Sequence, residues 1–242
     1  MDFPTIGHKP LVIVGATGMV GGYDLRRALD QPGTGRVTAI SRRGTGVSHP
    51  KLHEVLHQDF GDCSSLARAL SGQDAVVFCR GTYTRTVPDA QLRAVTVNST
   101  IEFACVLRAN SPDAAFSFLG GSGADPSGRS RMAFARYKGE AETALLASRF
   151  SRLYLFRPAD IYPAEPRKEP NLSYRFFRGI YPMFRLLFPN QVISADDMTR
   201  AMVDVIAKET GAAPIRVFEN RDIRALLRSI HRPQNEEEKG RA

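Results

Sequence analysis

Short apolar runs recur along the chain, and stretches whose apolar residues fall at helical intervals separate most of them. The runs lie at 11–14, 36–40, 52–60, 74–79, 114–119, 152–156 and 215–218. Several, such as Leu11-Val-Ile-Val14 and Ala75-Val-Val-Phe78, have no polar alternation, the pattern of strands buried on both faces. Helical spacing occupies 23–29, about 90–109, 131–147, 196–208 and 222–230, with a short helix at 64–70. Strand and helix in turn predict an α/β fold: a Rossmann-like, doubly wound, mostly parallel sheet with a small C-terminal lobe. Residues 1–230 read as one domain, with 170–230 largely the lobe. Residues 231–242 are charged and poor in apolar side chains, so a disordered tail is expected.

The first strand runs into Gly15, Gly18 and Gly21, and a helix follows. Strand, glycine turn and helix in that order predict a dinucleotide site. Gly15 allows the tight turn, Gly18 lets the backbone approach a pyrophosphate, and Gly21 lets helix and strand pack closely. Thr17, Met19 and Val20 complete the cofactor-facing turn, where the helix N-terminus meets the phosphates. The second strand ends in Ser41-Arg42-Arg43 and carries no acid there. An acid would bond the ribose 2′-hydroxyl of NAD, whereas arginine accommodates the 2′-phosphate, so NADP(H) is the expected cofactor. Asp59-Phe60 ends the third run and is expected beside the adenine. Arg80-Gly81-Thr82 opens from the fourth, where Gly81 lets backbone approach the ligand.

Composition narrows the classes. The net charge is +8, but its arginines are dispersed, so a nucleic-acid partner is not expected. No apolar stretch is long enough for a membrane span, and the N-terminus lacks signal-peptide features. Three cysteines, odd in number and widely spaced, read as reduced thiols in a cytoplasmic protein. His53-Glu54-Val55-Leu56-His57 matches the zinc-hydrolase pattern letter for letter, a remote alternative. That chemistry needs a helix and a third ligand. The segment falls where the third strand belongs, so no metal is expected.

Taken together, the glycine turn, Gly123-Ala-Asp125, Lys138-Gly-Glu140 and Arg157-Pro-Ala-Asp-Ile161 resemble the atypical short-chain dehydrogenase/reductase family, in its NADPH-binding branch. The resemblance runs over 10–230 and continues through Phe188-Pro-Asn190, 193–202 and 218–223. It implies a Tyr-x-x-x-Lys pair, in which the lysine holds the nicotinamide ribose and the tyrosine passes a proton. Lys138 matches the lysine, but Phe134 stands at the tyrosine position. Gly120 and Gly121 replace the family's serines, with Ser122 one place later. The resemblance therefore points to Lys138, with Tyr137 and Ser122 as substitute catalytic candidates, and to Pro158 and Ile161 along the cofactor. The implied function is an NADP(H)-dependent oxidoreductase of a small carbonyl or alcohol, as a monomer or homodimer. The alternative is an NADPH-binding regulatory protein without turnover. Residues 171–190, dense in aromatics between cationic breaks, are expected to form a lid, with a membrane-surface or nucleic-acid stripe as the alternative.

Overall fold

The computed structural model describes residues 9–82, 87–162, 191–207 and 215–231. The expected lid at 171–190 and tail at 232–242 lie outside them. Nine strands are described: β1 Lys9–Val14, β2 Thr34–Ser41, β3 Leu52–Leu56, β4 Ala75–Phe78, β5 Ala115–Leu119, β6 Arg152–Arg157, β7 Asp160–Tyr162, β8 Val192–Ser194 and β9 Ile215–Glu219. The principal helices are α1 Met19–Asp30, α2 Asp89–Arg93, α3 Ser99–Asn110, α4 Ala133–Ala147, α5 Ala195–Ala207 and α6 Asn220–His231.

Seven strands make one sheet in the order β3-β2-β1-β4-β5-β6-β9, every neighbour parallel. The chain starts in the middle, winds out to β3, then returns past β1 to β4. That reversal leaves a crevice at the C-terminal ends of β1 and β4, where doubly wound sheets bind ligands. The unbroken apolar runs are explained by cover on both faces. Leu11, Ile13 and Val77 meet Leu25 and Ala28 of α1 and Met198 and Met202 of α5. Val12, Val14 and Phe78 meet Phe103 and Leu107 of α3. The Phe78 and Phe103 rings lie 5.2 Å apart, and truncating a buried ring of this kind costs about 3–5 kcal/mol. Helix α1 is tied to α5 by Asp204, which accepts from Arg27 Nε at 2.9 Å and from Gln31 at 2.7 Å.

The structure corrects the expected elements in four places. The third strand ends at Leu56 rather than 60 because its partner β2 ends at Ser41, opposite Leu56, leaving nothing further to pair. Helix α1 begins at Met19 rather than 23 and takes in both Gly21 and Gly22. The helix expected over 90–109 is interrupted by a π-turn, Ala94–Asn98, between α2 and α3. Only Ser64–Leu66 of the 64–70 helix forms, as a 3-10 turn. A small parallel pair, β7 with β8, is additional; its strands are three residues each and lie far apart in sequence.

Candidate functional site

At the end of β1 the backbone turns through Gly15 at φ +85°, a region side-chain-bearing residues rarely adopt. A Cβ there would also lie 2.9 Å from the Cys79 carbonyl. The turn closes with Gly18 N–H donating to Gly15 O at 2.8 Å. A Cβ on Gly21 would run into that same carbonyl, so the helix lies against the turn only because no side chain stands there. No side chain caps α1 at Gly18, and no acid lies in its first turn. Its leading N–H groups and positive dipole end thus face the crevice, the arrangement that receives a phosphate. Val20 is buried, while Thr17 and Met19 are half-exposed beside the turn.

Ser41 Oγ donates to Arg43 O at 2.6 Å and Gln58 Nε2 donates to Arg42 O at 2.5 Å, fixing the turn after β2. Both arginines are exposed, and neither forms a salt bridge among the described residues. Beyond the end of β3, Asp59 is exposed and accepts from Gly61 N–H at 2.8 Å. Phe60 is buried, and the Arg80 guanidinium stacks on its ring at 4.1 Å. Arg80 Nε also donates to Ser99 Oγ at 3.3 Å. Burial, followed by the like charge of Arg42, pulls the Arg80 pKa down to about 10. Gly81 and Thr82 follow at the surface of the crevice.

Helix α4 carries the other end of the site. Gly139 allows it to press on the backbone of Asp125, where any Cβ would clash. Lys138 is buried and donates to Leu119 O at 2.9 Å, with its Nζ 4.9 Å from the Phe118 ring centre and 6.0 Å from that of Phe134. Burial lowers its pKa to about 8, against the smaller opposing pull of Glu142 and Cys79. Tyr137 lies on another side of α4, about 100° around the helix. Its hydroxyl donates to Asp89 Oδ2 at 2.5 Å, and it packs with Leu92 and Val97. That bond to a carboxylate raises the phenol's pKa. Ser122 is exposed at the end of β5, its N–H bonded to Pro158 O at 2.7 Å. Pro158 is buried and Ile161 half-buried in β7. Lys138 and Ser122 therefore share the C-terminal rim of β5 and β6, whereas the Tyr137 hydroxyl is directed to α2.

Several contributing residues escape a sequence reading. Glu142 is buried beneath Gly120 and takes Arg157 Nη2 at 2.6 Å. Its spacing of four from Lys138 was the available signal. Asp24, buried on α1, receives the Cys79 thiol at 2.9 Å, and burial raises its pKa to about 7. No sequence signal marks that pair. The His-Glu-x-x-His segment is not helical: β3 is an edge strand, so His53 and Glu54 alternate across it. Glu54 accepts from Thr45 N–H at 2.7 Å, and His57 packs edge-on to Phe60 with ring centres 4.9 Å apart. Among the described residues no cluster of three metal-binding side chains occurs, and no helix is long and apolar enough to cross a membrane.

A family model described as NAD(P)H-binding matches residues 15–147. Protein HTATIP2 of Rattus norvegicus is 26% identical over 231 residues, 94% of this chain and 93% of that protein. The mitochondrial protein fmp52 of Aspergillus clavatus is 28% identical over 218 residues, 86% and 88% respectively. Among solved structures, the Bordetella bronchiseptica enzyme WbmG in complex with NAD superposes with a TM-score of 0.65 at 17% identity, over 96% of this chain and 81% of that one. A Rossmann-fold NAD(P)-binding family protein from Shigella flexneri gives 0.58 at 16%, over 86% and 89%. With the glycine turn at the switch point of a parallel sheet, these likenesses place the chain in the NAD(P)H-binding family, among the atypical short-chain dehydrogenases/reductases.

Proposed function

We propose that this protein binds NADP(H) across the C-terminal ends of the central strands and acts as an oxidoreductase on a small carbonyl or alcohol. The observation that carries the cofactor choice is the end of β2, where Arg42 and Arg43 stand exposed and unpaired among the described residues, with no acid. The turn suits the ligand: Gly15 and Gly21 let strand, turn and helix pack closely at the crevice, and the first turn of α1 is uncapped. When bound, the cofactor would supply a hydride.

In this reading the chain positions and protonates. Gly15, Gly18 and the first turn of α1 hold the pyrophosphate, with Thr17, Met19 and Val20 lining it. Ser41, Arg42 and Arg43 hold the adenosine phosphate, Asp59 and Phe60 line the adenine side, and Arg80, Gly81 and Thr82 line the crevice beside the cofactor. Lys138 holds the nicotinamide ribose, with Pro158 and Ile161 alongside. For the proton, Ser122 offers an exposed hydroxyl near Lys138, and Tyr137 offers a phenol already bonded to Asp89. A cytoplasmic location belongs to this reading, as does a monomer or homodimer. Calorimetric titration tests the cofactor choice: NADPH should bind tenfold to a hundredfold tighter than NADH, the worth of roughly 1.5–3 kcal/mol of charge-assisted bonding. Equal affinities would reject it.

A second reading, NADPH binding for regulation without turnover, is favoured by Phe134 at the proton-donor position and by Gly120 and Gly121. Single-turnover oxidation of bound NADPH, tried with a panel of small aldehydes and ketones, separates the two.

A further inference from the structure

We propose that Arg80 is a second cationic contact for the cofactor's 2′-phosphate, acting with Arg42 as a two-arginine clamp that discriminates NADP(H) from NAD(H). The inference rests on the cofactor reading above and assigns to Arg80 a part that arginines after β2 ordinarily play alone.

Three features of its surroundings set Arg80 apart from a solvated surface arginine. First, its side chain is fixed. One guanidinium face lies on the Phe60 ring at 4.1 Å, and Nε is engaged by Ser99 Oγ at 3.3 Å. Ser99 is committed as well, because its hydroxyl donates backwards to Val95 O at 2.7 Å within the π-turn. The lone pairs of that oxygen are therefore what faces Arg80, which can only donate. Interruptions of this kind in helices occur often at functional sites. Second, no carboxylate pairs with Arg80 in a salt bridge among the described residues. Among charges the like charge of Arg42 acts on it most, opposed by the smaller pulls of Cys63 and Asp59. Third, Arg42 and Arg80 leave the sheet from β2 and β4, the two strands flanking β1. They therefore follow the sheet on either side of the strand that leads into the glycine turn.

Two guanidinium groups beside one crevice, one of them partly desolvated, favour an anion between them. A phosphate monoester dianion suits the pair, since the planar fork of arginine meets phosphate oxygens two at a time. Stacking on adenine is the competing role, and it makes a different prediction: adenine is common to all adenosine cofactors, so its loss would weaken each equally.

The experiment compares wild type with Arg80→Met, which preserves the apolar stem on Phe60 and removes the charge, and with Arg80→Lys, which keeps charge without the fork. NADPH, NADH, adenosine 2′,5′-bisphosphate and 5′-AMP are titrated by calorimetry, and circular dichroism and melting confirm the fold of each variant. Arg80→Met should weaken NADPH and the bisphosphate about tenfold or more while leaving NADH and 5′-AMP within about twofold. Arg80→Lys should fall between. Equal losses for all four ligands would overturn the clamp in favour of adenine stacking or packing, and no loss for any would overturn it outright. A wild type that binds none of the four, or prefers NADH, would reject the cofactor reading itself, before any variant is compared.

Discussion

The ring of Phe134 stands so close to Gly121 that a Cβ at 121 would lie 2.5 Å from its Cζ. The two departures from the family pattern are thus one structural event. An aromatic ring fills the space that a serine side chain on the β5 loop would need, and glycine is what lets the ring sit there. Placing a side chain at 121 while the ring stays at 134 sets up a steric conflict.

Gly121→Ser should therefore destabilise the protein, by about 1–3 kcal/mol as for other overpacked sites. Urea unfolding at neutral pH measures it. Adding Phe134→Ala should recover part of that loss, giving a coupling energy of opposite sign to the single effect. Additive losses would mean that ring and loop move apart freely.

Phe134→Tyr adds an oxygen at Cζ, the ring atom that lies against Gly121, one helical turn before Lys138, so the ring must tilt slightly to admit it. General acid–base groups contribute about 10²–10⁴-fold to rate, so any basal NADPH-dependent reductase activity should rise within that range. Tyr137→Phe is the companion variant. Its hydroxyl is held by Asp89 on α2, so its loss should leave NADPH turnover nearly unchanged. A rate abolished by Tyr137→Phe would assign the proton to Tyr137 and reject the regulatory reading.

Lys138 leads to a prediction about alkaline pH. Burial lowers its pKa from 10.5 to about 8, so between those values the unfolded chain binds more protons than the folded one. Stability therefore rises with pH across that window, and the burial penalty is felt in full below pH 8. Lys138→Met should lack this rise. Chemical denaturation of both proteins at pH 7.5 and 10, with the difference taken, isolates the lysine; parallel profiles would contradict its burial as a charge.

Asp24 works in the opposite direction. Its pKa is raised from 3.8 to about 7, so between those values the folded state holds the extra proton. Stability is lost as pH climbs through the window, and the full penalty applies above pH 7. Asp24→Asn should raise the melting temperature at pH 8 by more than at pH 4. An equal effect at both would show that burial does not raise the carboxyl's pKa.

What the sequence discloses depends on how local the cause is. The glycine turn is legible because strand, turn and helix are consecutive and each glycine answers to a neighbour within a few residues. Lys138 and Phe134 are legible as a pair because four positions make one helical turn. The contact of Phe134 with Gly121 is not, since no periodicity relates a loop to a helix 13 residues on. Nor is the tie between Arg27 and Asp204, separated by 177 positions, or the pairing of β7 with β8. The match over 53–57 misleads for the same reason: its letters repeat a pattern whose chemistry depends on a helix, and β2 imposes a strand.

The π-turn at Ala94–Asn98 bears on chain length as well as on chemistry. A π-turn holds one residue more than the α-helical path needs. The wide turn absorbs that residue, so α2 and α3 keep their faces; winding the same residues as a plain α-helix would rotate every position beyond the turn by about 100°. Ser99 would leave Arg80, and Phe103 and Leu107 would swing out of the core together. The register of this single helix thus sets both the packing beneath the sheet and the pose of an arginine at its rim, so a plain helix of the same length could not keep one while losing the other.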